Sequence, residues 1–515
     1  MNRGQRIIAA IVCVAVLVGM VYVSLTTDNF SYRTPRDEEV FRSNEDALLL
    51  WYTDESLSEY LETEALSFMG EHGVRIRTEL VSGVELLEQI NNASIYEGEE
   101  RDGVYPEAPD LYVTSHDNLM KAFYSSLATE IPDASVTIVP SNYPQTAIQA
   151  VTCGGRIVAY PFYYETNYLL YNKTFMANIA RQRMMDESVE EEFADEDVPG
   201  ETDKKEVAPI EEVSEDQVRE AVSAMEAGVD PMGEESATND PEVLERLSTM
   251  IPQTITDITT FANNYEAPDT VEAVFKWDVS DVFYNYFFVG NYMDVGGING
   301  DDNSIFNVYN QQTIDCMRVY QEMNKFFSID SKEVTYDSIL QDFIEGKLVF
   351  TVATTDAIAR IEQAKAEGEF EYDYGVAVLP DVNSFLKSRG MSVTDSIVIN
   401  GYSDKKDMAA VVAHYLAYTR ADNLYKKSGK LPCRKYVSFD NEEIANIVAE
   451  YEKSVPLPKM VEAADYWVQL EIAFTRVWNG EDPELVLREL SDSIGRQIDE
   501  IDFHTPVQET VTVGL

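Results

Sequence analysis

The sequence predicts an α/β fold of two lobes, each with a central, mostly parallel sheet flanked by helices. Two observations support this class. The chain has 515 residues, of which 45% are apolar, so it can form a large core but is too long for one compact unit. Amphipathic helical stretches also alternate with short apolar stretches, which is typical of βαβ units on a parallel sheet.

The elements follow one another in a regular order. The apolar stretch 47–52 predicts a first strand, and a helical pattern that runs from Leu57 ends at Gly73, since glycine readily ends a helix. Strands are predicted next at 74–78 and 111–113. The later pattern predicts a strand at 348–353 and helices at 255–265, 314–327, 335–345, 406–418, 442–454 and 465–478. Residues 376–379 are expected to cross back to the first lobe, and residues 483–501 to close the second.

The segment 154–175 carries the most information about function. Gly154-Gly155 predicts a tight turn, and two apolar strand-like stretches follow with Glu165 between them and five tyrosines around it. Aromatic faces beside a carboxylate are typical of a carbohydrate cleft, because sugar rings stack on aromatics and sugar hydroxyls donate to carboxylates. An ordinary pair of buried strands with one surface glutamate explains the same pattern equally well.

This segment resembles the maltose-binding type of extracellular solute-binding protein (family 1), the receptor subunit of carbohydrate ABC importers. The family pattern G-K-x-x-A-x-P followed by E-x-x-x-L-x-Y-N-K is similar to the stretches 155–161 and 165–173. Further matches occur in family order, at 47–52 (ALLLWY), 109–117, 343–347, 375–380 (GVAVLP) and 456–480. Each motif is weak by itself, and the ordered set is the basis of the resemblance.

The resemblance implies a periplasmic-binding-protein-like fold with a multi-segment hinge and a ligand held between the lobes. Lobe I is expected at 47–163 and 379–433, and lobe II at 164–378 and 434–503. Hinge closure would bring hydrogen-bonding groups and aromatic rings from both lobes onto the ligand. The ligand-binding residues that the resemblance implies are Trp51, Asp54, His116, Asp117, Glu165, Trp277 and Trp467.

Several of these residues have a purely structural interpretation that stays open. Trp51 follows three leucines and suits a core, Asp117 suits a helix cap, and Trp467 shares a helical stripe with apolar neighbours. Family tryptophans are also missing at Thr114-Ser115 and at 354–358. A smaller or more polar glycan than a linear maltodextrin is therefore expected, or a degenerate cleft.

Composition excludes several functions. A formal net charge of −53 repels phosphates, so nucleic-acid binding is not expected. The sequence has four cysteines and four histidines without metal-ligand spacing, and no cofactor or metal is expected. Asp117 and Glu165 could form a glycosidase pair, but no catalytic motif accompanies them, and the prediction is that the protein is not an enzyme.

The termini and one insertion fall outside the two lobes. Residues 1–27 predict a membrane anchor or signal segment, because Arg3 and Arg6 precede an apolar stretch at 7–25. The positive charges place this end in the cytoplasm and the rest of the chain outside the cell. Residues 28–46 are expected to be a linker, and 504–515 a tail. The acidic stretch 186–248 is expected to be a disordered or loosely helical insertion in lobe II.

The sequence as a whole predicts a monomeric, membrane-tethered receptor that delivers a sugar or oligosaccharide to ABC permease subunits. A ligand-sensing or envelope interaction protein with a degenerate cleft on the same scaffold is the alternative. A third hypothesis, binding of a cationic peptide or polyamine, follows from the net charge of −53.

Overall fold

The computed structural model describes residues 47–96, 107–194, 237–461 and 465–504. The expected anchor at 1–27, the linker at 28–46 and the tail beyond residue 504 lie outside these residues. Within the described ranges, no helix is both long and apolar enough to cross a membrane. The described chain divides into a small unit, residues 47–48 and 65–77, and a large unit, residues 49–64 and 78–504.

Fourteen strands occur within the described residues. They are β1 (Leu48–Tyr52), β2 (Ile76–Leu80), β3 (Leu111–Ser115), β4 (Thr152–Cys153), β5 (Arg156–Ile157), β6 (Tyr160–Asn172), β7 (Ala273–Phe275), β8 (Asp294–Val295), β9 (Phe306–Asn307), β10 (Leu348–Thr354), β11 (Tyr374–Ala377), β12 (Met391–Ile399), β13 (Leu431–Pro432) and β14 (Val455–Pro456).

Seventeen α-helices of the described chain surround the strands. They are α1 (Ser58–His72), α2 (Leu86–Ile95), α3 (Leu119–Tyr124), α4 (Ala134–Thr137), α5 (Gln145–Ala150), α6 (Lys173–Ala194), α7 (Pro241–Met250), α8 (Ile255–Asn264), α9 (Val282–Asn285), α10 (Gln311–Phe327), α11 (Tyr336–Ile344), α12 (Ala357–Glu367), α13 (Lys406–His414), α14 (Ala421–Ser428), α15 (Ile444–Lys453), α16 (Tyr466–Trp478) and α17 (Pro483–His504).

The small unit consists of the last part of α1, the turn after it and the start of β2. Gly73 ends the helix in the left-handed region, with φ of 72°, and its amide donates to the carbonyl of Met69. The amide of Leu48 donates to the carbonyl of Arg75 at 2.9 Å, which ties the two chain segments of this unit together.

The large unit is built on a ten-stranded sheet with the order β2-β1-β3-β12-β6-β10-β7, to which β11, β13 and β14 add at the side. The strand β6 has 13 residues, almost all buried, and its two halves have different partners. Residues 160–166 pair with β12, whereas residues 167–172 pair with β10 and β11. One long strand is therefore shared by two groups of strands.

The sheet is mixed, which corrects the expectation of mostly parallel sheets. The pairs β1–β3, β7–β10 and β12–β14 are parallel. The strands β3, β10, β11 and β13 reach β6 or β12 in antiparallel pairs, and β6 and β12 are antiparallel to each other. Hydrophobic periodicity fixes which residues are buried but not the direction of a neighbouring strand, so the sequence could not give this feature.

Both described ends of the acidic insertion are helical, and helix was one of the two expectations for this stretch. The helix α6 continues from Lys173 to Ala194, and α7 begins at Pro241 with Asp240 as its cap, which accepts from the amide of Glu242 at 2.9 Å. Proline at the first position of a helix is favourable, because the missing N–H would have no helical partner there. Residues 195–236 lie outside the described residues.

Gly375 allows β11 to lie against β6. It pairs with Tyr171, and a Cβ at this position would lie 2.1 Å from Cζ of the Tyr171 ring. We expect Gly375→Ala to lower the free energy of unfolding by about 1–3 kcal/mol, because the ring must leave a packed position. Urea unfolding of the full-length chain measures this loss.

Gly495→Ala is the matched control, since Gly495 lies in α17 and a Cβ there would meet no atom within 4 Å. The control is expected to leave the free energy of unfolding unchanged or to raise it by up to about 1 kcal/mol. Equal effects of the two substitutions would contradict the packing role of Gly375.

Candidate ligand-binding site

Two acidic side chains lie just beyond the ends of neighbouring parallel strands. Leu50 of β1 pairs with Leu111 of β3, so both strands end at the same edge of the sheet. Asp54 comes two residues after β1, and Asp117 two residues after β3. The carboxyl ends of parallel strands are where ligands bind in open α/β sheets, so this edge is the first candidate site.

Short 3₁₀ turns hold the two carboxylates. Asp54 caps the turn Glu55–Leu57, and its Oδ1 accepts from the amide of Ser56 at 2.9 Å. Asp117 lies in the turn His116–Asn118, and its Oδ1 accepts from the hydroxyl of Ser115 at 2.5 Å. Each aspartate therefore has one oxygen fixed by its own turn.

The strands β6 and β12 add three more polar groups to this edge. Asp395 of β12 lies between Ser115 of β3 and Tyr163 of β6, at a point where the β12–β6 register shifts. Glu165 follows Tyr163 along β6 and pairs with Val393. A register irregularity re-aims the side chains beside it, which is common next to functional sites.

Lys430 lies at the centre of these groups. Its Nζ is 2.8 Å from Oδ2 of Asp54 and 3.1 Å from Oε1 of Glu165. The same nitrogen is 5.3 Å from the centroid of the Tyr163 ring. We call Asp54, Tyr163, Glu165, Asp395 and Lys430 the Lys430 cluster.

The chain places Lys430 by a helix end and a short strand. Gly429 ends α14 in the left-handed region, with φ of 72°, and β13 begins at Leu431, which pairs with Tyr164. Sequence reasoning missed Lys430 and Asp395. In the sequence, Lys430 is a single lysine between a helix-ending glycine and a Leu-Pro strand. That pattern does not indicate a binding site.

The charges of the Lys430 cluster depend strongly on one another. Burial, followed by the neighbouring Glu165, raises the pKa of Asp395 to about 8. Burial also acts to raise the pKa of Asp54, but the hydrogen bonds from Lys430 and Ser56 and the charge of Lys430 together outweigh it, and the pKa lies below the usual value. At neutral pH, Asp395 is therefore largely protonated and can donate a hydrogen bond, whereas Asp54 accepts.

The pKa of Lys430 is held above its usual value. Burial acts to lower it, and the charges and hydrogen bonds of Glu165 and Asp54 outweigh this effect. The side chain is 18% exposed, against 30% for Asp54 and 40% for Glu165. The ammonium group is thus charged at neutral pH and is the least exposed member of the three.

A cavity of about 850 Å³, within the range of small-ligand sites, has no member of the Lys430 cluster on its walls. The helices α12 and α14 and the segment 438–443 form its walls, and Gly429, the residue before Lys430, is part of them. Charged side chains on the wall are already paired, with Lys365 2.9 Å from Asp373 and Lys173 3.7 Å from Glu443. The cavity is polar and suits a hydroxyl-rich solute better than an apolar one.

Tyrosines pack the loop where the family tryptophans are missing. The rings of Tyr284 and Tyr336 stack at 4.9 Å with an angle of 22° between their planes. The hydroxyl of Tyr336 donates to Oδ1 of Asp356 at 2.9 Å, and the hydroxyl of Thr354 donates a hydrogen bond to the same oxygen. The sequence analysis did not single out this aromatic pair.

Three of the seven residues implied by the resemblance lie in the core. Trp51 is 2% exposed, and His116 and Trp277 are 0% exposed. Nδ1 of His116 accepts from the amide of Thr394 at 3.0 Å, so Nε2 carries the proton toward the carbonyl of Leu457 at 3.1 Å. Burial lowers the pKa of His116 to about 4. These three residues have no free surface to offer a ligand, and the proposal below omits them.

The other four are divided between two places. Asp54 and Glu165 meet at Lys430, and Asp117 is close enough to act on the charge of Asp395. Trp467 is half-buried on α16, where its ring lies 5.7 Å from that of Tyr286 and 4.9 Å from that of Tyr466. Neither tyrosine belongs to the Lys430 cluster.

The α/β fold, with one strand shared by two groups of strands, is similar to that of solved solute-binding proteins. An extracellular solute-binding protein of Staphylococcus aureus in complex with maltose superposes with a TM-score of 0.62 at 17% identity, covering 88% of this chain and 98% of that one. A cyclo/maltodextrin-binding protein with maltotetraose gives 0.62 at 18% identity, covering 90% and 98%. MalE of Listeria monocytogenes gives 0.61 at 16% identity, covering 90% and 100%.

The sequence similarity to a curated relative is weaker and shorter. The maltodextrin-binding protein MdxE of Bacillus subtilis (strain 168) is 21% identical over 206 residues, which are 38% of this chain. The match spans about half of that relative, 48% of its length. No family model matches the sequence. The resemblance to maltose-type solute-binding proteins is confirmed, and at these identities it establishes the fold.

Proposed function

We propose that this protein is an extracytoplasmic solute-binding receptor that captures a carbohydrate-like ligand at the Lys430 cluster and delivers it to an ABC importer permease. The observation that carries the proposal is the meeting of Asp54, Glu165 and Lys430 at the carboxyl edge of the sheet, on a fold shared with maltose-binding proteins. A sugar hydroxyl both donates and accepts, so a site with charged acceptors and an ammonium donor suits it.

The proposed capture uses closure of two lobes around the ligand. The lobes are those expected from the sequence, 47–163 with 379–433 and 164–378 with 434–503, and β6 would be one of the segments that cross between them. Support comes from the different partners of the two halves of β6. A hinge absorbs its change in a few residues at the ends of elements, such as the register shift at Asp395.

The proposed location is the outer face of the cell membrane, with the segment 7–25 as tether. Support comes from its uncharged apolar composition after Arg3 and Arg6. Binding without catalysis is part of the proposal, because the named relatives and neighbours are described as binding proteins.

A ligand-sensing or envelope interaction role without transport is the second candidate. It is favoured by one observation, that Lys430 already pairs with both carboxylates that would otherwise receive a ligand hydroxyl. Under this alternative, Lys430 already occupies the hydrogen-bonding capacity of the two carboxylates, and no sugar binds at physiological concentration.

A thermal-shift panel of neutral sugars and small solutes separates the two candidates. A sugar present at about a hundred times its dissociation constant is expected to add about 2.7 kcal/mol to the free energy of unfolding, because it binds only the native state. Glu165→Gln is expected to reduce this gain, because it removes a charged acceptor from the site.

Lys325→Met is the control variant, since Lys325 is 67% exposed on α10 and pairs with its helical neighbour Glu322. It should keep the full sugar-induced gain. Equal gains in the wild type and in both Glu165→Gln and Trp467→Ala would show that the ligand binds elsewhere, and no gain with any sugar would favour the sensing role.

A further inference from the structure

Lys430 holds a position that suits an ammonium group of any origin. Two carboxylates contact its Nζ, at 2.8 Å from Asp54 and 3.1 Å from Glu165, and the Tyr163 ring lies on a third side at 5.3 Å. Carboxylates combined with an aromatic face are the usual means by which proteins recognise alkylammonium ions. The site already contains a cation, and that cation belongs to the chain itself.

We propose that Lys430 is a specificity-determining residue, an internal counter-ion that keeps amine-bearing solutes away from Asp54 and Glu165 and reserves the site for uncharged, hydroxyl-bearing ligands. The inference rests on the proposed function for the class of solute, and it deepens that function by naming the residue that selects the class. The third hypothesis from the sequence, a polyamine ligand, is then what Lys430 acts against.

The exclusion of amines follows from competition between a tethered and a free cation. A group attached to the same chain has an effective concentration in the millimolar range or above, so a free amine must bind much more tightly than Lys430 to displace it. An uncharged hydroxyl does not compete for this position. It can accept the third N–H of Lys430, because an ammonium group has three donors and the two carboxylates use two.

The surroundings make the position attractive to cations once Lys430 is absent. Asp395 lies near Asp54, Glu165, Lys430 and Asp117, whose charges all act on it, so this neighbourhood is rich in carboxyl groups. Asp54 has one oxygen held by the amide of Ser56, and its other oxygen is the one that Lys430 contacts. Removing the ammonium therefore leaves unpaired acceptors beside the face of Tyr163.

Lys430→Met tests the proposal, because methionine has a similar unbranched shape without the charge. Isothermal titration calorimetry of the full-length chain with spermidine and with glucosamine is expected to show at least about tenfold tighter binding to Lys430→Met than to the wild type. The gain should weaken as salt is added, since it is electrostatic. Lys430→Arg keeps the charge and should exclude both amines as the wild type does.

Two further variants make the test specific to this position. The double variant Lys430→Met/Glu165→Gln removes one of the released carboxylates and should lose most of the gain. Lys325→Met makes the same change in net charge on the exposed face of α10 and should bind amines as the wild type does. A gain of equal size in Lys325→Met would mean that bulk charge, and not the Lys430 position, controls amine binding.

A second substitution of Lys430 keeps the test valid if Lys430→Met does not fold. Lys430→Gln keeps one N–H donor for a carboxylate and is measured alongside Lys430→Met, with a thermal melt of each to establish folding. Amine affinity equal to that of the wild type in the folded variants overturns the proposal. Because the spermidine titration contains no sugar, a tenfold gain with spermidine upholds the role of Lys430 even if no sugar binds. Sugar binding without that gain would overturn this inference alone.

Discussion

Trp277→Ala is expected to lower the free energy of unfolding by about 3–5 kcal/mol, the usual cost of removing a buried tryptophan. The ring is 0% exposed. It stacks on Phe275 with the ring centroids 4.6 Å apart and makes an edge contact with Trp478 at 5.6 Å. Alanine would therefore leave a cavity enclosed by rigid rings, which cannot move inward to fill it. Nε1 also donates to Oδ1 of Asn285 at 2.9 Å, and that buried acceptor would lose its partner.

Urea unfolding followed by circular dichroism measures this loss in the full-length chain. Trp467→Ala is the matched control, because Trp467 is the same residue type but half-buried, and a loss of about 1–2 kcal/mol is expected. Similar losses for the two variants would contradict the core assignment of Trp277. A loss of sugar affinity in folded Trp277→Ala larger than in Trp467→Ala would restore Trp277 as a ligand contact.

The two tryptophans show where sequence reasoning stops. Trp277 and Trp467 both lie among aromatic residues, and a ring that stacks on a sugar and a ring that stacks on Phe275 need the same apolar neighbourhood. Only the burial of the ring distinguishes a ligand-binding tryptophan from a core tryptophan. That burial depends on which helices and strands pack against the ring. In the structure, the rings around Trp277 come from β7 and from the end of α16.

The segment around Glu165 was the most informative part of the sequence because its signals are local. Glu165 and the second apolar stretch, 168–171, lie in β6, whereas the first stretch, 157–160, contributes only Tyr160 to that strand and begins in β5. Pro161 lies within β6 and pairs with Ser396. An edge or irregular position in the ladder tolerates proline, and the β12 register shifts next to this pair.

The partners of Glu165 were out of reach of local signals. Lys430 lies 265 positions further along the chain, and Asp395 lies in the middle of a strand whose sequence indicates only burial. Charged residues at such distances meet only after the order and direction of the strands are fixed. A family motif could therefore point to Asp54, Asp117 and Glu165, while the cation that neutralises them and the acid that stays protonated required the three-dimensional arrangement.

The raised pKa of Asp395 makes the stability of the protein depend on pH in a direction opposite to that of an ordinary ion-paired carboxylate. Burial and then Glu165 raise this pKa from 3.8 to about 8. Between these values, the folded protein binds a proton that the unfolded chain has released. The free energy of unfolding therefore falls as pH rises through this range, by at most about 1.4 kcal/mol per pH unit from this group.

Asp395→Asn removes that titration while it keeps the size of the side chain and its ability to donate. The variant is expected to match the wild type at about pH 4 and to become progressively more stable than the wild type up to about pH 8, because it never has to carry a buried negative charge. Urea midpoints of both proteins measured across this range give the difference directly. The neutral His116 titrates in both proteins, so its contribution cancels in the comparison.

Asp337→Asn provides the control, since its carboxylate is 81% exposed and the change in net charge is the same. Its urea midpoint should follow the wild-type curve at every pH above about 5. A constant difference between Asp395→Asn and the wild type would mean that Asp395 is ionised throughout. In that case Lys430 would balance one more nearby negative charge. The pH series therefore tests the charge state on which both the capture of a neutral ligand and the exclusion of amines depend.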